Sequence, residues 1–127
     1  MQEKHLFEYA VIRIVPRVER EEFINAGVIV YCASQRFLKV LYKLNDKKIN
    51  ALSSGTDVTE LEIYLQALDK ICQGTNGSGT IGSFPVASRF RWLTATRSSV
   101  VQSSKVHPGF CTDPQHTLEE LFKNLVL

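Results

Sequence analysis

The chain has 127 residues, 44% of them apolar and 22% charged, which is enough for one hydrophobic core and too little for two, so a single domain over 1–127 is expected. A net charge of +2 is far below that of a general nucleic-acid binder and leaves any such role to local asymmetry. No apolar run approaches the roughly 20 residues that span a bilayer, and His5, Glu8 and Arg13 interrupt any leader-like segment near Met1, so a cytoplasmic setting is expected.

The first element predicted is a strand over Phe7–Val15, rich in β-branched and aromatic residues and stopped by Pro16. Its period of two puts Ala10, Ile12 and Ile14 on one face and Tyr9, Val11, Arg13 and Val15 on the other. Arg13 is therefore a charge inside an apolar strand, either a rim arginine with its stem on apolar surface or a cation facing a ligand. The mixed charges of Arg17–Phe23 mark a solvated connection. Ile24–Cys32 is apolar on both parities, the pattern of a central strand covered on both faces. Asn25 and Gly27 at its start suit a bulge or a close approach, with ligand contact by Asn25 as the alternative. Arg36–Tyr42 follows a short polar break and should form a hairpin with it.

Asn45 or Asp46 offers a cap for a short helix to Leu52. Thr56 or Asp57 offers another for the strongest helix of the chain, with Val58, Leu61, Leu65, Leu68 and Cys72 at helical spacing and Gly74 as its terminator. Residues 74–83 hold Gly77-x-Gly79-x-x-Gly82, the letters of a dinucleotide fingerprint. The order is wrong, since a helix precedes the glycines and Ser83-Phe84-Pro85 follows, so a flexible loop is expected. Phe90–Thr94 alternates like a strand, with Phe90, Trp92 and Thr94 on one side. Val100-Val101 suggests another strand, His107-Pro108-Gly109 signals a turn, and Asp113-Pro114 opens a last helix with Leu118, Leu121, Phe122 and Leu125 as its buried stripe. The sum is an α+β domain, an antiparallel or mixed sheet of about five strands packed by two main helices.

No Asp or Glu occurs between Lys70 and Thr112, while Lys70, Arg89, Arg91, Arg97 and Lys105 are cationic. If these cations face one way they create a one-sided positive potential. Arg89, Arg91, Arg97, Ser98, Gln102, Lys105 and His107 are accordingly the candidate anion-binding residues, with Arg13 and Asn25 as possible additions. Guanidinium forks suit phosphate, and hydroxyls and amides add donors. Trp92 and Phe90 would stack bases if exposed, or sit in the core. A solvated strand pair is the bland alternative. His107 is the sole histidine of that stretch and the only plausible general base there, but no carboxylate lies near it in sequence. Cys32, Cys72 and Cys111 are odd in number and widely spaced, and His5, His107 and His116 are scattered, so no disulfide, metal or cofactor is expected.

Tyr9-Ala10-Val11-Ile12-Arg13, Phe23-Ile24-Asn25-Ala26-Gly27-Val28, the long run Arg89-Phe90-Arg91-Trp92-Leu93-Thr94-Ala95-x-Arg97-Ser98-x-Val100-Val101-Gln102 and Val106-His107-x-Gly109 together resemble the bacterial domain-of-unknown-function family numbered 3037. That family commonly has proline where this chain has Thr96. The resemblance implies no established reaction. It implies a gene neighbourhood with HipA-like serine/threonine kinases, and so a protein partner of that kind or a toxin–antitoxin context. The expected role is a non-enzymatic accessory module for a partner protein. The alternatives are nucleic-acid or nucleotide binding through residues 89–107 and, behind it, a hydrolase or nuclease using His107.

Overall fold

The computed structural model describes residues 3–75, 77–95 and 99–127. Five strands form one antiparallel sheet: β1 (His5–Ile14), β2 (Ile24–Cys32), β3 (Phe37–Tyr42), β4 (Val101–Ser103) and β5 (His107–Cys111). The order is β3-β2-β1-β4, with β5 pairing the other half of β1 on the same side as β4. The interior is thus shared by β1 and β2. Helices α1 (Asp46–Leu52), α2 (Val58–Gln73), α3 (Gly79–Gly82), α4 (Val86–Leu93) and α5 (Pro114–Leu125) complete the described chain.

The two-sided apolarity of β2 is used as expected, because the sheet is covered on both faces. On one, Ala10, Ile12, Ile14, Ala26 and Ile29 pack with Ile49 of α1, Leu61, Leu65, Leu68 and Cys72 of α2, and Phe90 and Leu93 of α4. On the other, Phe7, Val28, Val30, Cys32 and Cys111 pack with Leu118 and Leu121 of α5. Local signals set the element ends. The side chains of Asn45, Asp57 and Asp113 accept from Lys48, Glu60 and Gln115 backbone N–H groups, and Gly74 closes α2 in the left-handed region at φ 66°. β2 and β3 form the expected hairpin.

Two sequence expectations fail. The alternation at Phe90–Thr94 suits a strand, yet Val86–Leu93 is helix α4. Val86, Phe90 and Leu93 are spaced by four and three, Pro85 stands at the N-cap, and the buried residues Arg89, Phe90 and Leu93 share one face. His107-Pro108-Gly109 is not a turn but part of β5. Pro108 faces Glu8 in an outermost strand, where its missing N–H falls on the open side of the ladder. Gly109 lies opposite Phe7 and leaves room for that ring. The glycine-rich stretch contains the helical turn α3, where the Ser78 and Ser83 hydroxyls donate to the Thr75 and Thr80 carbonyls.

A Cβ at Gly109 would sit 2.7 Å from Cε1 of Phe7, whose ring is buried. Gly109→Ala is therefore expected to cost about 1–3 kcal/mol by overpacking, read from urea unfolding. A loss below about 0.5 kcal/mol would mean that the ring moves aside freely.

β4 and β5 behave as one outer strand with a break between them. Ser104 is buried, donates its N–H to Val11 O, and accepts the Val11 N–H on Oγ, both at 2.8 Å. The side chain thereby replaces a ladder acceptor where the strand bends.

Candidate functional site

Among the nominated residues that are described, Arg89 and Arg91 are already engaged. Arg89 is only 8% exposed, and its guanidinium donates inside the protein. Nη1 reaches the carbonyls of Ile71 at 2.8 Å and Cys72 at 2.7 Å, and Nε reaches Phe84 O at 3.0 Å. Ile71 and Cys72 lie in the last turn of α2, where Ile71 O also accepts the Gly74 N–H at 3.2 Å and where the dipole end favours a cation. Arg89 caps α2 from α4. Arg91 is exposed, but its Nη2 holds both oxygens of Glu8, at 2.7 and 3.0 Å, so a carboxylate from β1 neutralises it.

Gln102 donates to Ser99 O at 2.8 Å. In the ladder it stands opposite Arg13, which stands opposite Asn25. His107 sits across from Tyr9, its ring 5.2 Å away. Lys105 is exposed, and Arg97 and Ser98 lie outside the described residues. Phe90 is a core ring stacked 5.1 Å from Tyr31. Among the described residues no group of three or more His, Cys, Asp or Glu side chains could hold a metal.

What the fold builds instead is a trough between α2, α4 and β4, which the sequence analysis did not anticipate. Its deeper end, about 180 Å³, has an apolar floor of Ile12, Leu68, Ile71, Leu93 and Val101 and aromatic walls of Tyr64 and Trp92. Tyr64 is 45% exposed and Trp92 37% exposed. Tyr64 and Val101 also border a second concavity of about 470 Å³, lined by Ser53, Ser54, Thr56, Asp57, Glu60 and Val100 among others. The described residues lining the two hollows include Asp57 and Glu60 but no lysine or arginine. Such a site takes apolar groups at one end and polar groups at the other, and offers no side-chain cation to a phosphate. The available signal was Tyr64 and Ile71, which flank the main stripe of α2 where a fully covered helix would place core.

Cys72 borders the same helix end. Burial first, and then the charge of Asp69, push its thiol from 9.0 up to about 12, against a smaller lowering by Arg89. Its folded pKa lies above its unfolded one, so the stability it lends is intact below about pH 9. That stability is lost as pH rises towards 12, because the unfolded chain releases the proton first. The loss should reach on the order of 4 kcal/mol. Cys72→Ala should show a visibly flatter decline over that window in denaturant melts, and parallel curves would contradict the assignment.

A five-stranded antiparallel sheet covered on both faces by helices defines a small α+β domain. The chain matches the family model described as "Protein of unknown function (DUF3037)" over residues 9–126. It belongs to that family. No curated protein and no solved structure matches it. No described helix is long and apolar enough to cross a membrane.

Proposed function

We propose that the domain is a non-enzymatic binding module that receives an apolar segment of a partner protein in the trough between α2, α4 and β4. The observation that carries this is the pair Tyr64 and Trp92, partly exposed over an apolar floor with no cation among its described lining. Large aromatic side chains at the mouth of a preformed hollow are where protein interfaces concentrate their energy. A bacterial cytoplasmic setting and a HipA-like kinase as partner, implied by the family resemblance, are part of the proposal.

Anion or nucleic-acid binding through residues 89–107 is the weaker reading. It would ask Arg89 to leave three carbonyls and Arg91 to leave Glu8. Hydrolysis by His107 finds no carboxylate bonded to the ring among the described residues.

Trp92 is the sole tryptophan, so its emission reports on the trough. Titration with a HipA-like kinase from the same operon should shift that emission to the blue and co-elute in size-exclusion chromatography. A single-stranded oligonucleotide should do neither at low salt. Salt-sensitive oligonucleotide binding, with no kinase complex at micromolar concentration, would overturn the proposal in favour of the anion site.

A further inference from the structure

Away from the trough, β1 and β2 fall out of step. Ile12 stands opposite Gly27 but Arg13 opposite Asn25, so Ala26 is the extra residue of a bulge. Bulges re-aim the side chains beside them. Arg13 lays its guanidinium 4.2 Å above the Phe23 ring, while Asn25 donates through Nδ2 to Leu125 O at 3.0 Å, at the end of α5.

Two buried polar atoms here lack partners: the donor Nε of Arg13 and the acceptor Oδ1 of Asn25. The assignment of Asn25 is fixed by its neighbour, since only the amide nitrogen can donate to the Leu125 carbonyl. Buried groups of this kind normally have a partner, so each needs an explanation. Arg13 also has no counter-ion, because the ion pairs among the described residues are Arg17–Glu19, Arg20–Glu22 and Arg91–Glu8. Asn25, though not Arg13, also borders a hollow of about 220 Å³ lined by Ile24, Lys43, Asn45, Lys48, Val126 and Leu127, with no Asp or Glu side chain.

An occupant that completes this corner must bring negative charge for Arg13 and the lysines, and a donor for Asn25. Sulfate or a phosphomonoester dianion has acceptors only and leaves Oδ1 unpaired. A neutral amide serves both hydrogen bonds but leaves the cations uncompensated. A carboxylate with an N–H close beside it meets every requirement, and the guanidinium fork matches its planar geometry. We propose that the Arg13–Asn25 corner is a second binding site, for a carboxylate bearing its own N–H, the chemistry of the terminal residue of a peptide chain.

The probe is N-acetyl-leucine, added to ¹⁵N-labelled protein and followed by NMR. It should move the Arg13 Nε–H and Asn25 side-chain resonances saturably. N-acetyl-leucine amide, which lacks the charge, and acetate, which lacks the N–H, should each bind at least roughly tenfold more weakly. Arg13→Lys keeps the charge, loses the fork, and should weaken binding by a similar factor. Equal affinity for acetate and inorganic phosphate would reveal a general cationic patch, and no movement with any probe would mean that a water completes the corner. Either result overturns the proposal, as does unchanged affinity in Arg13→Lys. If that variant does not fold, exposed Lys48→Glu takes its place and must weaken N-acetyl-leucine binding for the proposal to stand.

Discussion

Replacing Arg89 with methionine is expected to destabilise the domain by about 3–5 kcal/mol, a large part of the stability of a domain this size. The stem would still pack, but the Cys72 and Phe84 carbonyls would lose the guanidinium, while Ile71 O would keep only the Gly74 N–H at 3.2 Å. A buried carbonyl left without a partner costs about 1–3 kcal/mol. Arg89→Lys should recover little, because one ammonium cannot reproduce the fork. Gly74 provides an internal check. A Cβ there would meet Nη1 of Arg89 at 2.7 Å, on a residue already at φ +66°. Gly74→Ala should therefore cost less in the Arg89→Met background than alone, a non-additivity that a double-mutant cycle measures. If urea melts show Arg89→Met within about 1 kcal/mol of wild type, the capping role is wrong and the residue becomes available again as a ligand group.

Filling the trough should abolish partner binding while leaving the fold intact. Ala67 is an exposed residue of α2 that lines the deeper hollow, so Ala67→Trp places a ring where a ligand's apolar group would go. Its helix-propensity cost is below about 1 kcal/mol, and thermal unfolding should change little. Affinity for the partner should fall by a factor of about 100 or more, the scale of losing a central apolar anchor. Unchanged affinity in a folded Ala67→Trp protein would move the interface elsewhere. Arg91→Ala, which removes the Glu8 pair and a contact 5.3 Å from the Phe90 ring centroid, should alter stability by no more than about 1 kcal/mol and serves as the control.

The failures of sequence inference share a cause. Arg89-Phe90-Arg91-Trp92-Leu93 alternates charge and ring as a strand would, yet the same letters also put Phe90 and Leu93 three apart on a helix. Short apolar runs satisfy both periods, and packing against Tyr31 and the end of α2 decides between them. Pro108-Gly109 reads as a turn wherever such dipeptides are surface punctuation. Here a bare edge tolerates the proline and a neighbouring ring needs the glycine's empty face. The gap in acidic residues from Lys70 to Thr112 is real, but charge balance is a property of space. Glu8, more than 80 positions away, answers Arg91.

What the chain's own letters determined are the features settled within a turn or a strand. These are the cap positions to within one residue (Asn45 or Asp46, Thr56 or Asp57, and the start at Asp113-Pro114), the stop at Gly74, the apolar stripe of α2 and the hairpin of β2 with β3. All of them follow from neighbours a few residues apart, whose geometry the backbone dictates. Only the tertiary structure decided which way each long polar side chain points, turning Arg89 inward onto carbonyls and laying Arg13 over the Phe23 ring with its Nε unbonded. It alone also assembled α2, α4 and β4 into a trough. Those outcomes depend on contacts between segments far apart in sequence, where a freely rotating side chain takes whichever partner the packed layers present.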